Sequence, residues 1–473
     1  MKSIAGKVAI IGLDCAEPSL VFDRWADELP NLTALRRAGV WGKLRSVDPP
    51  ITVPAWSCMM TSQDPGRLGI YGFRNRKDHT YDGLCFATSR MLRVPRLWDR
   101  LGQQYGEHCI AMSVPQSYPP TPINGELMGC FLTPDTAKSN YTYPPELKSE
   151  IEQVVGQYLV DVPNFRSEEW DRILSDIHTM TERRFRLARH LLTTRDWQFF
   201  IMVEIGVDRI HHGFWRFHDE THPRHPKDNP YKDAIHDYYL EVDRHIGDLL
   251  EVLDEDTAVM VVSDHGIQKM DGGLCINEWL WREGYLAFEE EPDGLTPIAK
   301  IKIDWQRTRA WGEGGYYCRL CLNVAGREPQ GIVPPSEYEP LRDELIAKLE
   351  ALTDPEGRNI GTRAMRPSDL YEVANGIPPD LIVYFGNLGW RSVGSVGHGS
   401  IWTFENDTGP DFANHAPDGI LILKAPGVPA GVELSDMSLL DVAPTVMELR
   451  GHPIPSEYLG RSLLTRLAAP ASA

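Results

Sequence analysis

The sequence predicts an α/β fold: a mostly parallel central sheet with helices on both faces and a lobe inserted late in the chain. Three observations carry this. Short apolar runs rich in β-branched residues recur at residues 7–13, 199–203, 258–262 and 420–423, the pattern of strands buried on both faces. Polar, helix-compatible stretches separate them, as between 232 and 254. The run at 258–262 stops at Ser263 and then presents Asp264, His265 and Gly266. Ligands of open parallel sheets bind outside the carboxyl ends of strands, so Asp264 and His265 stand where chemistry is expected. An acid beside an imidazole suits a divalent metal; a helix N-cap aspartate followed by an unrelated histidine is the alternative.

A chain of 473 residues suits one large α/β domain with insertions, or two domains. Its formal net charge of −19 argues against a surface that coats nucleic acid or an anionic membrane. A phosphate substrate stays open, provided cations supply local positive potential. The apolar run at 8–12 is too short for a signal-peptide core, and no stretch approaches the ~18 apolar residues of a membrane helix. A soluble, cytoplasmic protein with no membrane partner is expected, and a homo-oligomer stays open. The eight cysteines are scattered, which argues against a disulfide framework. Cys318 and Cys321 match C-x-x-C inside a predicted strand, where an offset of three puts their sulfurs on opposite faces.

In chain order, the first strand delivers Asp14 at its carboxyl end. Residues 30–39 read as a short helix closed by Gly39. Thr52 and Pro54 precede an apolar, helix-compatible run, which puts Thr52 at or near a helix N-terminus. Free N–H groups there favour an anion; plain helix capping is the alternative. Residues 65–140 are mixed, with a helix at 94–104, and 145–195 are mostly helical. The strand at 199–203 leads to Asp208, His211 and His212, and 231–253 is an amphipathic helix. Residues 285–395 read as an inserted cap or substrate lobe, with strands at 316–324 and 378–385 and a helix near 336–351. Segments 1–284 and 396–473 form the core, 386–418 is a long loop, and 440–449 is the last helix.

Asp14, Asp208 with His212, and Asp264 with His265 thus follow three core strands, and His415 precedes a fourth. Three Asp and three His are too many for one tetrahedral zinc and suit two metals. Two cations can ionise a hydroxyl, and Thr52 offers one.

These stretches resemble the alkaline phosphatase superfamily, in its type I phosphodiesterase/nucleotide pyrophosphatase branch, including cytosolic phosphohydrolase or phosphomutase members. Residues 11–14, 30–35, 50–56, 64–70, Asp208 with His212, 263–266, His415 to Gly419 and 441–445 carry the likeness, in the family's order. The resemblance implies an alkaline-phosphatase-like sheet. It implies one metal held by Asp14, Asp264 and His265 and bridged to Thr52, and a second held by Asp208, His212 and His415. His398 is the alternative to His415, and His211 to His212. Zinc is the expected pair of ions because half the donors are imidazole, with manganese next. Where the family has a His, this chain has Leu68. The family's substrate-orienting Asn falls slightly out of register at Asn75, and Arg74 is an equal candidate for holding a phosphoryl oxygen.

The expected function is a two-metal phosphohydrolase acting on a small-molecule phosphate ester through phospho-Thr52. A diester or anhydride is favoured, because the nucleophile stretch resembles the phosphodiesterase branch and no bidentate Arg for a monoester dianion can be assigned. Trp390 and Trp402 could stack on a base; packing is the alternative. A phosphomutase or phosphotransferase on the same core, and a non-catalytic binding protein, are the alternatives in function. The Cys/Ser-x-Pro-x-Arg motif of sulfatases does not occur.

Overall fold

A computed structural model describes residues 3–468. Residues 1, 2 and 469–473 of the expected core range lie outside the described residues. Val8–Leu13 lies at the middle of a ten-stranded sheet among the described residues. It runs parallel to Phe199–Glu204 on one side and to Ala258–Val262 on the other. Cys109–Met112 and Gly125–Met128 continue the parallel run outward from Phe199–Glu204. On the other flank Asp418–Lys424 is antiparallel to both Ala258–Val262 and Val40–Arg45.

The strand sequences explain the layering. Successive side chains of a strand point to opposite faces. Ala9, Ile11 and Leu13 therefore enter one apolar cluster with helices Trp170–Thr194, Gly206–His218 and Ala234–Leu250. Val8 and Ile10 enter another with helices Thr52–Thr61, Leu97–Tyr105 and Val442–Leu449. Both faces are covered, which is why these strands read as continuous apolar runs rather than alternating ones. This is the α/β architecture expected.

A second sheet is wholly antiparallel. It joins Ala310–Glu313, Cys318–Leu322, Leu381–Tyr384 and Arg363–Met365. It has its own apolar cluster, into which Tyr338–Glu350 contributes Leu341, Leu345 and Leu349. Cys318 and Cys321 lie on this sheet as free, buried thiols.

Several details differ from expectation. The mixed region 65–140 holds two parallel strands of only four residues each, too short to show a period. The segment 386–418 is not one loop: it contains Trp390–Val393, Trp402–Thr403 and Ala413–Ala416. Gly39 follows its helix in extended backbone at φ −146°, and a Cβ there would lie 2.1 Å from the Leu423 carbonyl oxygen. Close strand approach, not a left-handed turn, requires that glycine. Among the described residues no helix is long and apolar enough to cross a membrane.

Candidate active site

Asp14 directly follows Val8–Leu13, and Asp264 and His265 follow Ala258–Val262 after one residue, Ser263. Because these strands are neighbours in parallel register, their carboxyl ends coincide. Ligand atoms of Asp14, Asp264 and His265 lie within 4.8 Å of one another. After Phe199–Glu204 the chain turns into helix Gly206–His218, where Asp208 and His212 share a face at i, i+4. His415 arrives on Ala413–Ala416, which pairs with Gly266–Lys269 and sets Ile267 opposite His415. Asp208, His212 and His415 form a second group within 4.8 Å, and Cys15 lies within the same distance of Asp208 and His265.

Each histidine in these groups spends one ring nitrogen on the protein. His415 Nδ1 donates to the Pro50 carbonyl at 2.7 Å, and His265 Nδ1 donates to the Gly266 carbonyl at 3.0 Å. His212 Nδ1 donates to Asp411 Oδ1 at 2.7 Å. Those bonds leave the three Nε2 atoms as the positions that can offer a lone pair to a cation. Nε2 of His212 is 3.2 Å from Asp208 Oδ2, and Nε2 of His265 is 3.3 Å from Asp264 Oδ2. The carboxylates are split in the same way. Trp56 Nε1 holds Asp14 Oδ2 at 2.8 Å, and the Cys15 amide holds Asp264 Oδ1 at 3.2 Å. The remaining atoms, Asp14 Oδ1, Asp264 Oδ2, His212 Nε2 and His415 Nε2, are buried without a hydrogen-bond partner among the described residues. Unpaired buried polar atoms are costly. Oriented imidazoles beside carboxylate oxygens fit divalent cations, so the residues present suit the metals that the resemblance implies.

The electrostatics agree. Burial, then the Asp208 charge, raises the Asp14 carboxyl well above the ordinary range. Burial, then Asp14, does the same to Asp264. Burial opposes ionisation of Asp208, yet His212 and Arg209 hold its carboxyl below the ordinary range. Burial lowers His265 to about 4. Burial also works against charging His212, but Asp411, Tyr316 and Asp208 together raise it well above the ordinary value. Carboxylates crowded this closely need cationic charge between them.

Thr52 is the first residue of helix Thr52–Thr61, and its hydroxyl lies 3.2 Å from His265 Nε2. Through Pro50, two residues back, the same segment binds His415. The first turn of a helix leaves its N–H groups without intrahelical acceptors.

The other expected residues fall as follows. Arg74 is exposed, with its guanidinium 4.9 Å from the Phe86 ring centroid. Asn75 is buried and fully engaged in its own turn: its amide oxygen accepts from Tyr71 N and its nitrogen donates to the Gly72 carbonyl. His398 bonds Ser395 at 2.9 Å and is not brought to either donor group. His211 is buried against Trp215 and Tyr239, with neither ring nitrogen paired among the described residues. Trp390 and Trp402 pack on each other at 4.8 Å beside the lobe's apolar cluster.

Sequence reasoning missed Asp411, Tyr316, Arg166, Arg391 and Trp56. Buried Asp411 accepts His212 on one oxygen and, on the other, Arg166 and Arg391 at 2.6 Å each. Burial works against its charge, but His212 and the two arginines hold the carboxyl well below the ordinary range. Tyr316 stacks on His415 at 4.1 Å, and His415 stacks on His265 at 3.8 Å. Trp56 shares a helix face with Thr52 at i, i+4, a spacing that could have drawn notice.

The sequence profile described as "Type I phosphodiesterase / nucleotide pyrophosphatase" matches residues 8–415. No curated protein matches the chain. Among solved structures, human ectonucleotide pyrophosphatase / phosphodiesterase 5 is similar at TM-score 0.54 and 13% identity, covering 98% of each chain. The murine protein is similar at 0.55 and 12%, again over 98% of each chain. An inactive variant of the murine protein in complex with AMP is similar at 0.56 and 12%, with the same coverage. At such identities the likeness establishes the shared fold.

Proposed function

The chain belongs to the type I phosphodiesterase / nucleotide pyrophosphatase family, within the alkaline phosphatase superfamily, and on that premise we propose that it cleaves phosphodiesters or phosphoanhydrides through a phospho-threonine intermediate on Thr52. In its general activity it is a metal-dependent phosphoric ester hydrolase. Asp14, Asp264 and His265 would hold one divalent ion and Asp208, His212 and His415 another, zinc before manganese on the mixture of imidazole and carboxylate donors. Bound there, such ions supply positive charge that favours an ionised Thr52 hydroxyl and offsets phosphoryl charge.

One observation carries this reading: the Thr52 hydroxyl sits 3.2 Å from His265 Nε2 on a segment that also binds His415. Thr52 Oγ1 forms a bond to phosphorus while the bond to the leaving oxygen breaks. The N–H groups of Thr52 and Val53, at the helix start, are placed to donate to a phosphoryl oxygen. Asp411, the Pro50 carbonyl and the Gly266 carbonyl each hold a proton on Nδ1, keeping the three Nε2 lone pairs directed inward. Water then cleaves the threonine phosphoester. The second lobe, residues 285–395, serves as a cap over this site.

The test is turnover by the full metal-loaded chain of an aryl phosphodiester, the matching monoester and a dinucleotide pyrophosphate; AMP in the murine relative's structure makes nucleotides a natural choice. Hydrolysis that chelation abolishes and added zinc or manganese restores is expected. No turnover of any ester by metal-loaded protein would overturn the reading.

A further inference from the structure

A chamber of about 380 Å³ opens beside the nucleophile segment, with Ile51 in its wall. Its lining includes Arg74, Arg166, Arg209, Arg319 and Arg391, against one acidic residue, Glu313. That is a strongly positive wall in a protein whose formal net charge is −19.

Internal partners consume only part of this charge. Arg209 is spent on Asp161 and Asp208. Arg166 and Arg391 share a single oxygen of Asp411, whose other oxygen already takes His212, and their further partners, the Tyr316 and Thr408 hydroxyls, carry no charge. Two guanidiniums and an imidazole thus lean on one carboxylate. Arg391 is also buried, with its Nε unpartnered among the described residues. Arg319 donates to the Arg74 carbonyl and stands 4.0 Å from Glu313. Arg74 makes no side-chain hydrogen bond among the described residues.

The aromatic rings of the lining are engaged within the protein: Phe73 sits edge-on to Phe131 at 5.9 Å, and the Tyr317 hydroxyl donates to the Tyr71 carbonyl. Trp390 and Trp402 do not line the chamber. Tyr316, which does, already stacks on His415 and lies 4.7 Å from the Arg391 guanidinium. The transferred phosphoryl belongs beside Thr52 and the two donor groups, so an arginine wall next to them has room for a different anion. Guanidinium forks favour carboxylate and phosphate oxygens.

We propose that this chamber binds a second acidic group of the substrate, a carboxylate or a phosphate, so that the substrate is a phosphodiester whose second organic half carries an acid of its own. The inference rests on phosphoryl transfer at Thr52. It names the group that selects the substrate.

The test compares three p-nitrophenyl phosphodiesters on one metal-loaded preparation of the full chain, their second alcohol being propyl, carboxyethyl or phosphonoethyl. A kcat/KM on the order of tenfold higher for an acidic ester than for the propyl ester is expected. Which acidic ester leads identifies carboxylate or phosphate. The preference should shrink to about threefold or less in Arg166→Gln and in the double variant Arg74→Gln/Arg319→Gln. The double variant leaves the buried Asp411 pairs intact, so it remains informative if Arg166→Gln folds poorly. Equal rates for all three esters, or a preference unmoved in the double variant, would overturn the inference while leaving ester hydrolysis standing. Calorimetry with the inert probes carboxyethylphosphonate and propylphosphonate separates the two failures: tighter binding of the acidic probe without turnover would sink the hydrolase reading alone, and equal binding would sink the chamber.

Discussion

Replacing Asp411 by asparagine keeps its shape and removes its charge. The amide has one acceptor oxygen, and two guanidinium donors compete for the position of Oδ2. The amide nitrogen would then face His212 Nδ1–H, a donor against a donor where a 2.7 Å bond now exists. Relief requires His212 to move its proton to Nε2, which removes the lone pair it directs toward Asp208. Loss of such an outer partner typically weakens metal binding 10–100-fold, and the Asp208, His212 and His415 position should lose about that much. Breaking a buried ion pair costs about 3–5 kcal/mol. The lower end applies, because the Arg166 side chain is 28% exposed while that of Arg391 is 4% exposed. The sign with pH follows from the lowered carboxyl. Wild-type advantage is fully present above the ordinary carboxylate pKa of about 4 and is lost as pH falls toward the lower folded value. The assay is competitive titration of metal with a chelator, together with melting curves across pH. Unchanged affinity at both positions in the folded variant would refute the role given to Asp411.

Metal loading should release protons, because Asp14, Asp264 and His212 are all raised in the metal-free fold; calorimetry in buffers of different ionisation enthalpy measures this, and an affinity that does not rise with pH would contradict it. Gly12→Ala should strip metal from the Asp14 position, since a Cβ there would lie 2.4 Å from the Trp56 ring that holds Asp14. Elemental analysis reads the loss, with Gly294→Ala as the control because a Cβ there meets nothing within 4 Å. Thr52→Ser should keep part of the turnover and Thr52→Ala none, both with metal content retained; near-normal rates in Thr52→Ala would move attention to Ser57 or Thr61.

Much of the fold was legible because its strands are buried on both faces. Such strands leave unbroken apolar runs, and residues that follow them, such as Asp14 and Asp264, fall at one sheet edge by topology alone. Asp208 and His212 were legible by helical spacing, and Thr52 by its place before an apolar helix. Strands of four residues such as Cys109–Met112 carry too little pattern to stand out. Asp411 was hidden for another reason. It lies 199 residues from His212 and 245 from Arg166 in sequence, and its importance exists only in the contacts that folding makes. The arginine wall is hidden likewise, since Arg74, Arg166 and Arg391 come from separate elements and no local motif joins them. Asn75 shows the converse. Its nearness to a family motif suggested substrate, whereas the loop's own backbone takes both ends of its side chain.

The central claim is that Thr52 carries the transferred phosphoryl group. The metal-loaded chain should be mixed with an aryl phosphodiester, quenched within one turnover, digested and mapped by mass spectrometry. The account predicts a phosphoryl adduct, bearing the retained ester group, on the peptide that contains Thr52, formed as the aryl alcohol is released and absent in Thr52→Ala. An adduct on another residue, or full turnover with no adduct at any time, would contradict it.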